Sequence, residues 1–354
     1  MRNSLECPIP SAIHPAADSV DTQSAVWMRR FSLCANEIER NRLAQSGCGQ
    51  LAARIAPNAT RQTLQIVSDF FIWNVSFDDE YCDEGPLSRQ PGKLARTVSL
   101  IHRAIEVPES ELHEGDRYAR AMLDIRRRLD AYATPSQMYQ WLTAMRGWFL
   151  TETWKSGNVA RGRIPTLDEY ATLRLYSGGA MVFPVLTAIA ENYAVSLDSL
   201  EDRRVKALTE IAASLVAWMA DIASYGKEVA REHGGHNLVS VIQHEHGCSP
   251  EWATVQATAM CGQIMELFLR LRDNLALDAP AELHRYLQTL GHYIRASFDW
   301  CHASERYAYG DMSAVVSKED FTSQTNSPLQ ASSIASIAWW WTIDNQISVA
   351  LRRE

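Results

Sequence analysis

The chain has 354 residues, 46% of them hydrophobic, and a formal net charge of −8; this suffices for a large buried core, and the interspersed Lys and Arg exclude the basic face that nucleic acid requires. Seven cysteines, odd in number, widely spread and without a CxxC pair, point away from a disulfide framework or a zinc site and towards a reducing cytoplasm. The N-terminus lacks the apolar core of a signal peptide, and no later run of about 18 uncharged apolar residues is long enough to span a bilayer, so a transmembrane protein is not expected.

Pro8, Pro10 and Pro15 and the absence of helical period predict an extended arm over residues 1–22, followed by a single domain over 23–354. Within that domain, apolar residues at three- and four-residue spacing predict helices over 24–45, 61–80, 94–106, 111–132, 136–156, 167–194, 203–231, 250–276, 279–301 and 329–351. Ser249 and Pro250 are suited to cap and open one of them. Strand alternation is nearly absent. The fold class is therefore all-α, a single large helical bundle.

The helix over 61–77 reads as buried, yet Asp78, Asp79, Glu80, Asp83 and Glu84 follow at its C-terminal end, where the macrodipole disfavours each negative charge by roughly 0.3–1 kcal/mol. At 100° per residue Asp79 and Asp83 share a face, with Asp78 one step round. Such carboxylates, with no basic residue beside them in sequence, repel one another unless a hard divalent cation joins them. A solvated helix end is the plainer account of an acidic run taken alone.

A second polar stripe lies in AWMADIASYGKEVARE, where Ser224 and Glu228 are four residues apart and Lys227 adjoins Glu228. The hydroxyl and carboxylate offer two oxygens to Mg²⁺, and the ammonium suits a phosphate on the same metal. A surface Glu–Lys pair is the ordinary alternative.

Together, in this order and about 140 residues apart, the two stretches resemble the motifs of class I terpene cyclases of the bacterial type. FDDEYCDEG resembles the family's aspartate-rich motif, which makes Asp78 the principal metal ligand with Asp79 and Asp83 in support. DIASYGKE resembles the second metal motif, matched by Ser224, Glu228 and the diphosphate-contacting Lys227. LDEYATLRLYSGG resembles the diphosphate-sensing segment, with Arg174 as sensor and Gly178 at a helix break whose carbonyl faces the substrate. DWCHASERYAYG resembles the Trp-then-Arg-Tyr signature, giving Arg306 and Tyr307 as diphosphate ligands and Trp300 as a cavity wall. The chain departs from the pattern once: Ala220 stands where the second motif has Asn, so weaker affinity for one metal is expected, with the neighbouring Asp221 as a partial substitute or, equally, a water in the gap.

What the resemblance implies is a class I terpenoid synthase bundle with a central cavity. It would ionise and cyclise a linear prenyl diphosphate with Mg²⁺, three ions accompanying the diphosphate. Farnesyl diphosphate giving a sesquiterpene is the substrate expected; geranyl or geranylgeranyl diphosphate, or a diphosphate-binding relative with weak turnover, are the alternatives. A cytoplasmic enzyme follows, for which a homodimer is an open assembly. The allyl cation needs a dry, aromatic pocket, for which Phe70, Trp73 and Phe77, together with Trp300, are the candidates. A chain-elongating prenyl transferase would carry two aspartate-rich motifs rather than one. His233, His236, His244 and His246 match no zinc spacing and read as a surface loop and helix end, and WWWT at 339–342 reads as a segment buried against the bundle.

Overall fold

A computed structural model describes residues 7–112, 114–230, 234–304 and 328–344. Residues 7–16 have no regular helix and lie over the bundle: Ile9 is buried, Arg295 donates to the carbonyls of Cys7 and Ile9, and Ser11 donates to Asp299. Helix α1 (Ala17–Arg30) already includes Val20 on its buried face. The extended arm thus ends at residue 16 rather than 22, because Pro15 precedes the first turn and does not interrupt it.

The helix expected over 24–45 is two. Ser32 and Cys34 take left-handed backbone angles, φ 55° and 67°, and Asn36 then caps α2 (Glu37–Ala44) through its side chain. Next come α3 (Cys48–Ile55) and α4 (Arg61–Phe77), the latter opened by a reciprocal cap between Thr60 and Thr63. α5 (Pro91–Glu106) precedes α6 (Arg117–Leu129), which starts six residues later than its apolar pattern suggests because Asp116 caps it. α7 (Pro135–Ala160) carries a Thr134–Gln137 cap. The 167–194 block splits into α8 (Leu167–Arg174), a 3₁₀ segment (Ser177–Val182) and α9 (Phe183–Ala190).

The remaining helices are α10 (Leu197–Glu201), α11 (Arg203–Ala230), α12 (Leu238–His246), α13 (Pro250–Ala276) and α14 (Ala281–Ala303). Ser249 caps α13 and Pro250 opens it, as expected. The helix expected over 329–351 starts later than expected: a 3₁₀ turn (Ala331–Ser333) and further turns come before a helical stretch at 339–344, and residues 345–351 lie outside the described residues. Trp340 within it is fully buried and donates to Glu210. No strand occurs among the described residues, so the architecture is all-α.

The buried apolar side chains of the described residues gather in two clusters. One, with Trp73, Trp141 and Trp148, is built mainly on α1, α3–α7 and α9, with Tyr293 and Trp300 of α14; the other, with Trp218, Phe268 and Trp340, mainly on α8 and α11–α14. α11 is long and apolar enough to cross a membrane, but 67% of its most apolar stretch is buried in the protein and it packs on α13 and α14, as a core helix does.

Polar residues on the buried face of α4 are tolerated because they are bonded. Asp69 accepts from Ser24 of α1 at 2.7 Å, from Gln65 at 2.8 Å and from Arg128 of α6 at 2.7 Å. Removing it takes away the acceptor that these three donors share. Asp69→Ala should cost about 2–3 kcal/mol of stability, read from urea unfolding; an unchanged midpoint would mean that this three-helix tie is idle.

Candidate active site

The chain does not leave the helix at Phe77. It widens into a π-helical turn, Asp78–Asp83, with the amide of Glu84 donating to the carbonyl of Asp79 five residues back. This corrects the expected grouping: Asp83 pairs with Asp78, and Asp79 with Glu84, instead of Asp79 with Asp83. Asp78 and Asp83 turn together towards Lys155 of α7, whose Nζ is 3.8 Å and 2.7 Å from their carboxylates. Asp79 instead faces Lys227 of α11 at 3.8 Å, as does Glu84 at 3.6 Å. Glu80 turns a third way, to Arg117 and to the Tyr118 hydroxyl.

Lys155 also pairs with the fully buried Glu152 at 2.8 Å. Burial alone would lower its pKa, but Asp83, Glu152 and Asp78 hold it well above the ordinary value. Burial and the neighbouring Asp83 push the Asp78 carboxyl well up, against the opposing pull of Lys155. Cys82 sits within this group, yet burial and Glu152 keep its thiol protonated, so it offers no thiolate. Lys155 and Glu152 escaped the sequence reasoning because ETWK resembles any i, i+3 helix pair.

On α11, Ser224 donates to Glu228, and Asn237 donates to the other Glu228 oxygen at 3.2 Å. Burial, and next Asp221, raise the Glu228 carboxyl to about 7. Asp221, the expected partial substitute for the oxygen that Ala220 lacks, is engaged elsewhere. It binds Arg174 Nη2 and Nε at 2.8 and 3.0 Å, the Tyr170 hydroxyl, and the Leu238 amide at 2.9 Å, and it is 4% exposed.

Arg174 closes the group. It lies between Asp221 and the break joining α8 to α9, where Gly178 and Gly179 adopt φ 73° and 78°. A Cβ on Gly178 would stand 2.7 Å from the Arg174 guanidinium, and one on Gly179 would stand 2.8 Å from Asn74, so both positions require glycine. The break is clamped from three sides. Arg174 donates to the Ser177 carbonyl at 2.9 Å, the Gly178 amide donates to Glu152 at 2.8 Å, and Asn74 of α4 donates to the Gly178 carbonyl at 3.0 Å.

Asp78, Asp83, Lys155, Arg174, Ser177, Asp221, Glu228 and His236 line one cavity of about 320 Å³. Asp79, with Glu80 and Glu84, lines a second of about 220 Å³. The structure therefore gathers Asp78, Asp83, Arg174 and Glu228, with Gly178 and Ser224 beside them, and sets Asp79 and Lys227 against each other on the flank. Arg306 and Tyr307 lie outside the described residues. His236 corrects the expectation of a surface histidine: its Nε2 is buried without a hydrogen-bond partner, and burial and then Lys155 lower its pKa to about 4, so the ring is neutral. His244 and His246 are exposed.

The residues expected to form the aromatic wall are buried in the core. Phe70, Trp73 and Phe77 are fully buried; Trp73 stacks on Phe77 at 4.7 Å and donates to the Tyr118 carbonyl, and none of them lines the larger cavity. On a helical wheel Trp73 lies about 140° from Asp78, whereas Phe71 lies only about 20° away. Phe71 meets Phe183 at 5.6 Å and Trp300 at 5.4 Å, and Phe183 meets Tyr293, whose hydroxyl donates to Ala180 beside the break. Trp300 thus keeps a place in an aromatic group, with different partners from those expected.

These two faces should separate by mutation. Trp73→Ala should lose about 3–5 kcal/mol of stability, by chemical unfolding. Phe71→Leu should keep most stability and change the ratio of reaction products. The reverse outcome would exchange core and wall.

Carboxylates converging from one helix end and a hydroxyl–carboxylate pair facing them from another form an oxygen-rich set suited to Mg²⁺. Asp78 Oδ1, buried without a hydrogen-bond partner, fits a ligand atom awaiting a cation. Residues 69–266 match the family described as terpene synthase family 2, C-terminal metal binding. The chain is 34% identical to the (+)-(1(10)E,4E,6S,7R)-germacradien-6-ol synthase of Streptomyces pratensis, over 96% of each chain. It is 33% identical to the (+)-T-muurolol synthase ((2E,6E)-farnesyl diphosphate cyclizing) of Streptomyces clavuligerus, over 95% of this chain and 81% of that one. The crystal structure of the SVS_A2 protein from ancestral sequence reconstruction superposes with a TM-score of 0.83 at 34% identity, covering 96% of this chain and 98% of that one. The chain belongs to the terpene synthase family, in its bacterial, metal-dependent class I branch.

Proposed function

We propose that this enzyme ionises farnesyl diphosphate and cyclises the resulting cation to a sesquiterpene, with the α-helical bundle acting as a single catalytic domain. The observation that carries the proposal is the meeting of Asp78, Asp83, Arg174 and Glu228 around one cavity beside the glycine break. The farnesyl chain length rests on the activity named for the T-muurolol synthase. Seven cysteines, none in a disulfide, support a cytoplasmic setting.

In this proposal Asp78 and Asp83 on one side, and Ser224 and Glu228 on the other, would hold Mg²⁺, which when bound supplies positive charge to the departing diphosphate. Arg174, held in place by Asp221, offers its guanidinium to the developing negative charge in the same cavity. Lys227, together with Arg306 and Tyr307, is assigned to diphosphate by the motif resemblance alone. The Gly178 carbonyl at the break directs a partial negative charge towards the allyl cation. Phe71, Phe183, Tyr293 and Trp300 supply apolar surface and ring faces that favour a cation by roughly 0.5–2 kcal/mol per contact.

Incubation with C10, C15 and C20 prenyl diphosphates tests the assignment. A cyclic C15 hydrocarbon or alcohol should form with Mg²⁺ and not with EDTA; no product from any of the three would contradict it. Asp78→Asn should lower kcat at least about 100-fold with the helical circular dichroism spectrum retained, and near wild-type turnover would return the acidic run to a solvated helix end.

Ala220 leaves an oxygen position open one turn before Ser224, and Asp221 is engaged elsewhere. Ala220→Asn should therefore lower the Mg²⁺ concentration for half-maximal turnover by about threefold to tenfold. A rise would mean that another group already fills that position.

A further inference from the structure

The first acidic motif and the helix break are joined by a short chain of charged contacts on one face of α7. Lys155 Nζ lies 2.7 Å from Asp83 and 2.8 Å from Glu152 Oε2. Glu152 Oε1 accepts from the Gly178 amide at 2.8 Å and from the Trp148 indole at 3.1 Å. Glu152 is fully buried, so the low dielectric around it makes these contacts expensive to lose. The peptide between Ser177 and Gly178 is thus held at its carbonyl by Arg174 and at its amide by Glu152, while Asn74 holds the next carbonyl from α4.

We propose that Glu152 and Lys155 are a positioning pair that couples occupation of the Asp78–Asp83 carboxylates to the aim of the peptide at the Gly178 break. The proposal rests on the diphosphate-ionising function. Lys155 is shared between Asp83 and Glu152. When cation and diphosphate draw on Asp78 and Asp83, the ammonium transfers weight to Glu152, whose other oxygen fixes the Gly178 amide. Metal binding at one end and diphosphate contact at the other then favour one another, a coupling that is reciprocal by linkage.

Calorimetry with inorganic diphosphate, at low and at saturating Mg²⁺, gives the factor by which the metal tightens diphosphate binding. Glu152→Gln keeps an acceptor for the Gly178 amide and removes the charge that faces Lys155; Lys155→Met removes the ammonium and keeps the stem. Each should reduce the coupling factor about tenfold, the double variant should lose no more than either single one, and Glu152→Gln should shift the product ratio. Thermal unfolding and circular dichroism follow the fold in parallel. Variants that melt earlier but keep the wild-type coupling factor and product ratio would overturn the proposal and leave the pair a purely structural tie. If the wild-type protein shows no Mg²⁺-dependent diphosphate binding and forms no terpene, the ionising function falls, and this inference falls with it.

Discussion

Five carboxylates at the C-terminal end of a buried helix must be kept from repelling one another, and no cation adjoins them in sequence. Three neighbouring helices supply the answer: Lys155 from α7 for Asp78 and Asp83, Lys227 from α11 for Asp79 and Glu84, and Arg117 from α6 for Glu80. The π turn makes the division possible by sending the acids in three directions. Ion pairs of this depth fix geometry more than they add stability, since desolvation offsets much of the Coulomb gain. Their effect is to hold α6, α7 and α11 around the end of α4, where the cavity opens.

The second organising feature is the break between α8 and α9. Two consecutive glycines in left-handed conformation interrupt a helical run at the depth of the cavity, where Arg174, Glu152 and Asn74 hold the Ser177 carbonyl, the Gly178 amide and the Gly178 carbonyl. Arg174 is fixed in turn by Asp221, and Asp221 by Tyr170 and the start of α12. The polar half of the site is therefore a connected network. Phe71 packs with Phe183 and Trp300, and Phe183 with Tyr293, in a buried aromatic group on another face of α4.

Much of the fold was legible because local signals and apolar period agreed: α11 and α13 lie within one residue of their expected bounds, α4 starts where expected, and Ser249–Pro250 opens α13 as its chemistry suggests. What escaped did so for physical reasons. Ser32 and Cys34 break the first helix through left-handed angles that no glycine advertises. The π turn shifts the acidic register by one residue, which a wheel at 100° per residue cannot represent. Lys155, Glu152, Asn237 and His236 take their meaning from tertiary contact alone.

The central claim is that these carboxylates form a metal-dependent diphosphate site. Titrating the wild-type protein with inorganic diphosphate in a calorimeter, with Mg²⁺ and then with EDTA, tests it without relying on any substrate chain length. The account predicts saturable binding that requires Mg²⁺ and is lost in Asp78→Asn. Binding of equal strength in EDTA, or undiminished in that variant, would contradict it.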